Sequence, residues 1–523
     1  EGDMKTFLLV LLVSASNLLF AADLRDVGSL SFENSGAEAA QSHFHRGVGF
    51  LHSFGFKQAI GEFQKAQEAD PDFALAYWGE SLCYNHPLIS EWNRQTPIDI
   101  LQRLGTTPEQ RLVKANTQRE QGFIRAVEAL FNGPGDISQR RIAYKDAMQT
   151  LYAQFPDNDE VAAFYALSLL SAARASGDDL MKMNIFAGSI ATRLFNKNNN
   201  HPGAAHYVIH SFDDPLHAPL ALEAAQKFAR IAPAVSHARH MPTHIFIQHG
   251  MWQEVSTSNQ SAFDAAKDLW EPGDAVGDMV HALDWGQYGD LQLGDNEKAK
   301  LWITRLESIA EQNGGQEGSL EKVRARYVVE TEDWQIMAVS DQSTAASLLA
   351  AGLSAIHLDD LKAAENAREL LAAKVVAMEK RGKGAYREGP VPTKIMYQEI
   401  AALVSLAEGE EALALALLEE GVELTKQLPP PNGTANPIKP VHELYAEVLS
   451  ELGRFDQSIA LFKGSLARTP NRSRSLLGLA RTYVKLGDEE AAAQLYRRLA
   501  EIRKGSNTKD LQEAEQYLSM AQR

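Results

Sequence analysis

Histidines are concentrated in one short stretch of this chain. Eight of its fifteen histidines fall between His201 and His249, within a sequence of 523 residues. In the phrases HPGAAHYVIH (201–210) and SHARHMPTHIF (236–246), pairs of histidines lie three or four residues apart. On a helix, this spacing puts both members of a pair on one face. Because imidazole is the commonest metal ligand in proteins and titrates near neutral pH, this stretch is the first candidate for chemistry.

The elements that would position these histidines are helical hairpins. Residues 44–71 space small and large apolar side chains in a helical pattern and end in a proline. The pattern recurs in 443–470 and 475–502, with Gly453 and Gly487 placed 34 residues apart at the predicted turns. Small residues let two helices approach, large ones fill the groove between hairpins, and proline ends a helix. Strand signals are nearly absent, so we predict an all-α solenoid of roughly a dozen hairpins.

This pattern resembles the tetratricopeptide repeat, a helical hairpin of about 34 residues. The resemblance implies a superhelical solenoid of antiparallel helix hairpins, whose concave groove is lined by the first helix of each hairpin and binds a protein or peptide. More narrowly, the chain is similar to an exported bacterial subfamily. Three phrases carry that likeness: HxGxxxLHSF from His45 to Phe54, HPGAAHYVIH with HMPTHIF, and KPVHELYAEVL over 439–449. The subfamily implies no particular activity.

The repeat frame orients the histidines. Positions 2, 5, 9 and 13 of each first helix face the groove, because they lie opposite the packing positions at about 100° per residue. Numbered separately from Pro233, Gly250 and Gly294, three successive repeats place polar residues at positions 2, 5 and 9. These are His206, His210, His237, His240, His244, His281, Asp284 and Tyr288. His52 takes position 13 of the first repeat. Neighbouring helix axes lie about 8–10 Å apart, so these side chains can converge on an ion.

We therefore predict the six histidines of this set and Asp284 as metal ligands, with Tyr288 and His52 as residues of the partner-binding groove. Imidazoles with one carboxylate suit zinc or copper first, and iron and nickel stay open. The single cysteine, Cys83, excludes a multi-thiolate zinc site. No motif indicates an organic cofactor.

Three other polar features bear on this region. Pro242 lies inside the predicted histidine helix and predicts a kink there. Asp213 and Asp214 precede a proline and are interpreted as a helix-end turn, with a role behind the imidazoles as the alternative. Arg324, Arg326 and Glu330 are interpreted as an ordinary exposed ion pair one helical turn apart, with an ion pair in the groove as the alternative.

Three functional interpretations stay open. The first is a binding protein that holds one or two transition-metal ions in its groove. The second is a metal-free scaffold that binds a peptide or an envelope protein. The third is a metal-dependent, hydrolase-like enzyme, which has the least support because no general base stands out and no HExxH, phosphate-loop or G-x-S-x-G motif is present. No catalytic residue is predicted.

Net charge and the N-terminal residues bear on the kind of partner and on the cellular location. The formal net charge of −17 argues against nucleic acid as a partner. Residues 1–22 contain a basic residue, an apolar run and small residues at the end, which predicts a secretory signal peptide. The mature protein is then periplasmic or secreted from a bacterium, with no membrane span left after removal of the signal.

The predicted organisation has four parts. Residues 1–22 are the signal peptide, and 23–427 are an N-terminal and central helical array that carries the histidines. Residues 428–440 (LPPPNGTANPIKP) are a proline-rich linker, and 441–523 are a C-terminal pair of regular repeats. The sequence does not fix the oligomeric state.

Overall fold

The chain is built almost entirely from α-helices. The computed structural model describes residues 22–23, 26–89, 91, 93–176, 180–381 and 389–521. Within these residues a short antiparallel ribbon pairs β1 (Ala22–Asp23) with β2 (Ser29–Leu30). Of the predicted signal peptide, all but Ala22 lies outside the described residues. None of the described helices combines the length and apolar character that crossing a membrane requires.

The N-terminal part consists of six helices that pack on one another in sequence order. Thr107 and Thr117 each begin a helix, because their hydroxyl oxygens accept the backbone N–H of Gln110 and Glu120, whose side chains accept the threonine N–H in return. Such capping boxes pair backbone groups that a helix start leaves open. The helices are α1 (Glu38–His52), α2 (Phe56–Ala69), α3 (Ala74–Leu82), α4 (Gln95–Leu104), α5 (Pro108–Lys114) and α6 (Gln118–Phe131).

The histidine-rich stretch lies in the next group of helices. His201 caps the helix that begins at Pro202, since the Nδ1 of His201 accepts the N–H of Ala204 at 3.1 Å. Pro242 divides the stretch around 236–248 into two short helices, so the predicted interruption is confirmed. A 3-10 turn spans Ala218–Ala221. The helices are α7 (Ile137–Gln154), α8 (Asp159–Ser176), α9 (Leu180–Lys197), α10 (Pro202–Ser211), α11 (Leu222–Ile231), α12 (Ser236–His240) and α13 (Pro242–Gln248).

Eight longer helices form the central part. Asp295 and Thr344 cap two of them by accepting the backbone N–H three residues ahead. A 3-10 turn, Thr425–Gln427, follows the last helix. The helices are α14 (Trp252–Leu269), α15 (Gly277–Leu293), α16 (Asn296–Asn313), α17 (Glu317–Thr331), α18 (Ala345–His357), α19 (Leu361–Arg381), α20 (Pro390–Ala407) and α21 (Glu411–Leu424).

The C-terminal part is the most regular. Gly453 and Gly487 lie in the turns between successive helices, as predicted from their spacing. A fifth helix follows the two predicted hairpins and packs against the second of them. The helices are α22 (Val441–Glu451), α23 (Phe455–Arg468), α24 (Ser473–Leu486), α25 (Glu489–Ile502) and α26 (Lys509–Ala521).

Small residues face large ones between the helices, as the repeat pattern predicts. A Cβ added at Gly79 would lie 2.3 Å from the ring of Phe63, and one at Gly47 would lie 2.9 Å from the same ring. Gly478 and Phe462 repeat this arrangement in the C-terminal hairpins, again at 2.3 Å. Since no larger side chain fits, the glycines set the distance between helices. The all-α solenoid prediction is confirmed.

The proline-rich segment 428–440 is more than a bare linker. The amide of Gln248 donates to the backbone carbonyl of Pro431 at 2.6 Å, and Gly433 packs against Trp285. The guanidinium of Arg326 donates to Thr434 Oγ1 at 3.2 Å. This segment therefore joins the two arrays while lying against the helices that carry the histidines.

The C-terminal repeats also contact the central helices directly. The indole of Trp252 donates to the backbone carbonyl of Asn471 at 2.8 Å. Arg472, fully buried, donates to Glu330 at 2.6 Å and to Glu443 at 2.8 Å. These contacts fix the C-terminal array against α14, α15 and α17.

Candidate metal centre

Six of the predicted site residues come together where α10, α12, α13 and α15 meet. His206 and His210 lie on α10, and His281 lies on α15. The other three histidines lie on two helices, because Pro242 interrupts this stretch. His237 and His240 lie on α12, and His244 lies on α13. We call these six residues the histidine cluster.

Half of the cluster forms what we call the first trio, His206, His210 and His237. Each offers one ring nitrogen, and the three nitrogens lie within 4.8 Å of one another. The Nε2 atoms of His206 and His237 are 3.1 Å apart. Two nitrogens on a tetrahedral zinc ion, each bound at its usual length, are about 3.3 Å apart. The spacing of these two imidazoles is therefore close to that of two ligands on one ion.

The other half forms the second trio, His240, His244 and His281. Their ring nitrogens also lie within 4.8 Å of one another. The ring centroids of His240 and His281 are 4.3 Å apart, and those of His240 and His244 are 5.2 Å apart. Three imidazoles from three different helices therefore face a common point.

Hydrogen bonds behind the rings select the tautomer of two histidines. The Nδ1 of His206 donates to the backbone carbonyl of His52 at 2.6 Å. The Nδ1 of His244 donates to the carboxylate of Asp213, also at 2.6 Å. Because both acceptors lack a proton, Nδ1 carries the hydrogen and Nε2 keeps its lone pair in the neutral rings. Metal-bound histidines are held in this way in other proteins.

His240 is oriented by the same principle. Its Nδ1 lies 2.7 Å from Oδ1 of Asn259. The amide nitrogen of Asn259 donates to the carbonyl of Val255 at 2.8 Å, which identifies Oδ1 as the acceptor. His240 therefore donates from Nδ1, and its Nε2 carries the lone pair. Both trios thus contain at least one Nε2 prepared for a ligand role.

Burial keeps the first trio neutral. It lowers the pKa of His206 to about 3 and the pKa values of His210 and His237 well below their ordinary value, with repulsion among the neighbouring imidazoles as a further cause. The Nε2 of His210 is buried and has no hydrogen-bond partner among the described residues. Since only neutral imidazole binds a metal, the first trio is in the binding form at neutral pH.

Aromatic rings surround the cluster. Phe54 lies 4.4 Å from the ring of His206 and 5.1 Å from that of His237. Trp285 lies 4.4 Å from His244 in the second trio. An apolar surround limits solvent access and lowers the local dielectric around a bound ion.

A third group of possible ligands, His52, Glu160 and His201, is linked by hydrogen bonds among its own side chains. Glu160, fully buried, accepts from Nε2 of His52 at 2.8 Å and from Nε2 of His201 at 3.1 Å. The Nδ1 of His52 accepts from the hydroxyl of Tyr207 at 2.8 Å. Burial raises the pKa of Glu160, but the two histidines outweigh it and hold the pKa at about 2. This group supports the first trio, because the His52 carbonyl accepts from His206.

Three predicted site residues need correction. Asp284 belongs to neither trio of ring nitrogens, and its carboxylate accepts from Arg326 at 2.6 Å and from Lys322 at 3.0 Å. Tyr288 is fully buried, and its hydroxyl accepts from Arg472 at 3.2 Å rather than facing an open groove. His52 is also fully buried, as described above.

The supporting residues were mostly missed by the sequence interpretation. Asp214 forms the predicted turn and pairs with His217 at 2.7 Å, but Asp213 turns towards His244. Arg326 and Glu330, predicted to be exposed, are 1% and 3% exposed. Helix spacing could not reveal the contacts of Asp213, Arg326 and Glu330, because their partners lie more than 30 residues away in the sequence.

A sequence family covers the C-terminal repeats. The tetratricopeptide repeat family model matches residues 441–505. This match supports the tetratricopeptide repeat superfamily, whose members form concave surfaces that bind protein partners. It covers none of the histidine cluster. The comparison with curated proteins gives no match.

Several solved helical structures are similar to the whole chain at low identity. The human IFIT1 dimer with m7Gppp-AAAA has 11% identity, covering 94% of this chain and 96% of that chain, with a TM-score of 0.32. Yeast Tom70 has 14% identity, covering 92% and 95%, with a TM-score of 0.27. The APC/C hetero-tetramer Cut9-Hcn1 has 11% identity, covering 94% and 78%, with a TM-score of 0.32. Similarities of this size carry no argument about function.

Proposed function

We propose that this chain is a helical-repeat scaffold that binds two transition-metal ions, one in each trio of the histidine cluster. The observation that carries the proposal is the paired arrangement of ring nitrogens. In each trio three nitrogens lie within 4.8 Å, and hydrogen bonds donated by Nδ1 place the lone pair on Nε2 of His206, His240 and His244. Three histidines and an open fourth position form a common zinc site.

The cost of burying unpaired polar atoms favours a metal-bound histidine cluster over a metal-free one. Leaving a buried polar atom unpaired costs about 1–3 kcal/mol. His210 has such an atom in Nε2. The 3.1 Å contact between Nε2 of His206 and Nε2 of His237 is a hydrogen bond in the metal-free protein, in which one nitrogen donates and the other accepts. An ion in the first trio would replace this hydrogen bond and would also bind the unpaired Nε2 of His210.

The donor set indicates which ions fit. Both trios offer imidazole nitrogens alone, without thiolate or carboxylate. Zinc and copper are therefore the first candidates, with iron and nickel less suited because their sites usually include carboxylates or other donors.

Partner binding is the second part of the proposal, and it rests on a different region. The tetratricopeptide repeat match lies at 441–505. A cavity of about 500 Å³ opens beside these repeats, with Trp334, Lys439, Arg481 and Glu513 among its lining residues. Its mixture of apolar, basic and acidic side chains suits a protein or peptide segment, and the net charge of −17 disfavours nucleic acid.

Export is part of the proposal as well, supported by the signal-like composition of residues 1–22. N-terminal sequencing of protein recovered from the periplasm of a bacterial host would begin near Ala22 or Asp23. Recovery of intact chain from the cytoplasm alone contradicts export and leaves the metal proposal unaffected.

Elemental analysis tests the metal proposal. Untagged protein from metal-replete cells should contain two transition-metal ions per chain at near-neutral pH. A double variant, His206→Ala with His240→Ala, removes one ligand from each trio and should lose both ions. The matched control is His217→Ala, because His217 pairs with Asp214 outside both trios. Wild-type protein without stoichiometric metal, or equal metal in the double variant, contradicts the proposal.

A further inference from the structure

The two trios are joined through one short helix. His237 belongs to the first trio and His240 to the second, and both lie on α12. Residues three apart on a helix are separated by about 4.5 Å along its axis. Two ions held by these residues would therefore be close neighbours.

Ring distances support the same conclusion. Between the trios, His210 and His244 are 6.2 Å apart and His237 and His240 are 6.5 Å apart, measured between centroids. Within the trios, the largest separations between centroids are 6.2 Å for His210 and His237 and 6.4 Å for His244 and His281. The distances between the trios are thus similar to the largest distances within each trio.

The charge of the centre is incomplete without a further ligand. The six ligand side chains are imidazoles, which bind metal in the neutral form, whereas two divalent ions bring four positive charges. Asp213 contributes one negative charge behind His244, and Asp284 is already paired with Arg326 and Lys322. Uncompensated charge is costly in a partly buried site, so an anion from solution would be bound strongly.

We propose that the two ions form a single dinuclear centre that binds one small anion between them. This inference rests on the proposed function. Three protein ligands leave each ion an open position, and ions about 3.5–4 Å apart in other two-metal sites share such a ligand. In plain buffer the ligand would be hydroxide, since metal binding makes water acidic. A small oxyanion or azide would replace it.

Copper and azide provide the test. Untagged full-length protein is loaded with Cu(II), counted by elemental analysis, examined by electron paramagnetic resonance and titrated with azide by absorption spectroscopy. We expect two ions per chain, a resonance intensity well below that of two isolated ions because their spins couple, and one azide per pair.

Single-trio variants give the comparison. His281→Ala should retain one ion with the full intensity of an isolated Cu(II) and bind azide at least tenfold more weakly. His210→Ala tests the other trio in the same way, and covers the case in which one variant does not fold, as judged by circular dichroism. His217→Ala should behave like wild type.

The outcomes separate the two proposals. Two ions per chain with full, uncoupled intensity and two independent azide sites overturn the dinuclear centre and leave two-ion binding standing. Fewer than two ions in folded wild-type protein overturn both proposals.

Discussion

The Nε2 atoms of His206 and His237 lie 3.1 Å apart, although the residues are 31 positions apart in the sequence and lie on different helices. The contact exists because α10 and α12 are both held against their neighbours, and because the carbonyl of His52 fixes the ring of His206 from behind. In the metal-free protein one of these two nitrogens donates a hydrogen bond to the other, and on metal binding both would present their lone pairs to the ion. This relationship underlies the predictions on metal binding.

Asp213 should tune metal affinity without being a ligand. Asp213→Ala removes the acceptor behind His244, and we expect metal affinity at the second trio to fall by about 10–100-fold. Asp213→Asn should recover part of the loss, because its amide oxygen can accept from Nδ1. Competition with a chromophoric chelator measures the affinity. Asp264→Asn, on the exposed face of α14, is the control, and an unchanged affinity in Asp213→Ala contradicts the assigned role.

His86 should make the protein less stable in mild acid. Burial, followed by the charges of Arg174 and Arg141, lowers the pKa of His86 from 6.5 to about 3. The unfolded chain then binds the proton more readily, so this contribution is complete above pH 6.5 and is lost as the pH falls towards 3. Between pH 8 and pH 5.5 the contribution of His86 to the free energy of unfolding falls by about 1.4 kcal/mol.

Denaturant unfolding of chelator-treated protein measures this effect. Between pH 8 and pH 5.5 the free energy of unfolding should fall in both proteins. The fall should be about 1.4 kcal/mol smaller in the variant His86→Leu than in wild type. Equal losses in both proteins would show that His86 does not titrate between the folded and unfolded states as described.

Glu399 should make the stability of the protein depend on pH in the opposite direction. Its carboxylate is fully buried, and both oxygens lack a hydrogen-bond partner among the described residues. Burial raises its pKa well above the ordinary value; Lys439 opposes this, while Glu443 and Glu447 add to it. A raised pKa means that stability is fully present below about pH 4.5 and is lost as the pH rises.

Glu399→Gln should therefore stabilise the protein at neutral pH. Holding a carboxyl of ordinary pKa protonated at pH 7.5 costs up to about 4 kcal/mol. The gain, measured by denaturant unfolding, should shrink towards zero near pH 4.5. A variant that is equally destabilised at both pH values would instead indicate a charged Glu399 engaged with Lys439.

Gly250 tests the junction with the C-terminal repeats. It has φ of 61°, and an added Cβ would lie 2.4 Å from the backbone oxygen of Pro470. Gly409 is the matched control, with φ of 84° and no atom within 4 Å of the added Cβ. We expect Gly409→Ala to cost about 1–2 kcal/mol from backbone strain alone. Gly250→Ala should cost at least about 1 kcal/mol more in thermal or denaturant unfolding, because the junction must also move. Equal costs would contradict a close junction.

Helical periodicity was sufficient to predict that six histidines meet. Spacings of three and four fix one face of a helix, and separate repeat registers placed His206, His240 and His281 on the same wall. The same arithmetic failed for Asp284, because a position on a face says nothing about the cations opposite it. Arg326 and Lys322, on the next helix but one, take that carboxylate.

Burial was the harder quantity to predict. His52 and Tyr288 occupy groove-facing repeat positions, yet each is enclosed, His52 by Glu160 and Tyr288 by Arg472. Those contacts span more than 100 residues of sequence, so no local pattern records them. For Asp213 the short-range sequence favoured a turn, and the alternative role behind an imidazole is the one that its contact with His244 shows.

The most direct test of two-ion binding is anomalous X-ray diffraction from crystals of zinc-loaded, untagged protein. We expect two anomalous peaks, one among the ring nitrogens of His206, His210 and His237 and one among those of His240, His244 and His281, each about 2.0–2.1 Å from its ligands. A single peak shared by both trios, or no peak within the histidine cluster in fully loaded protein, would contradict it.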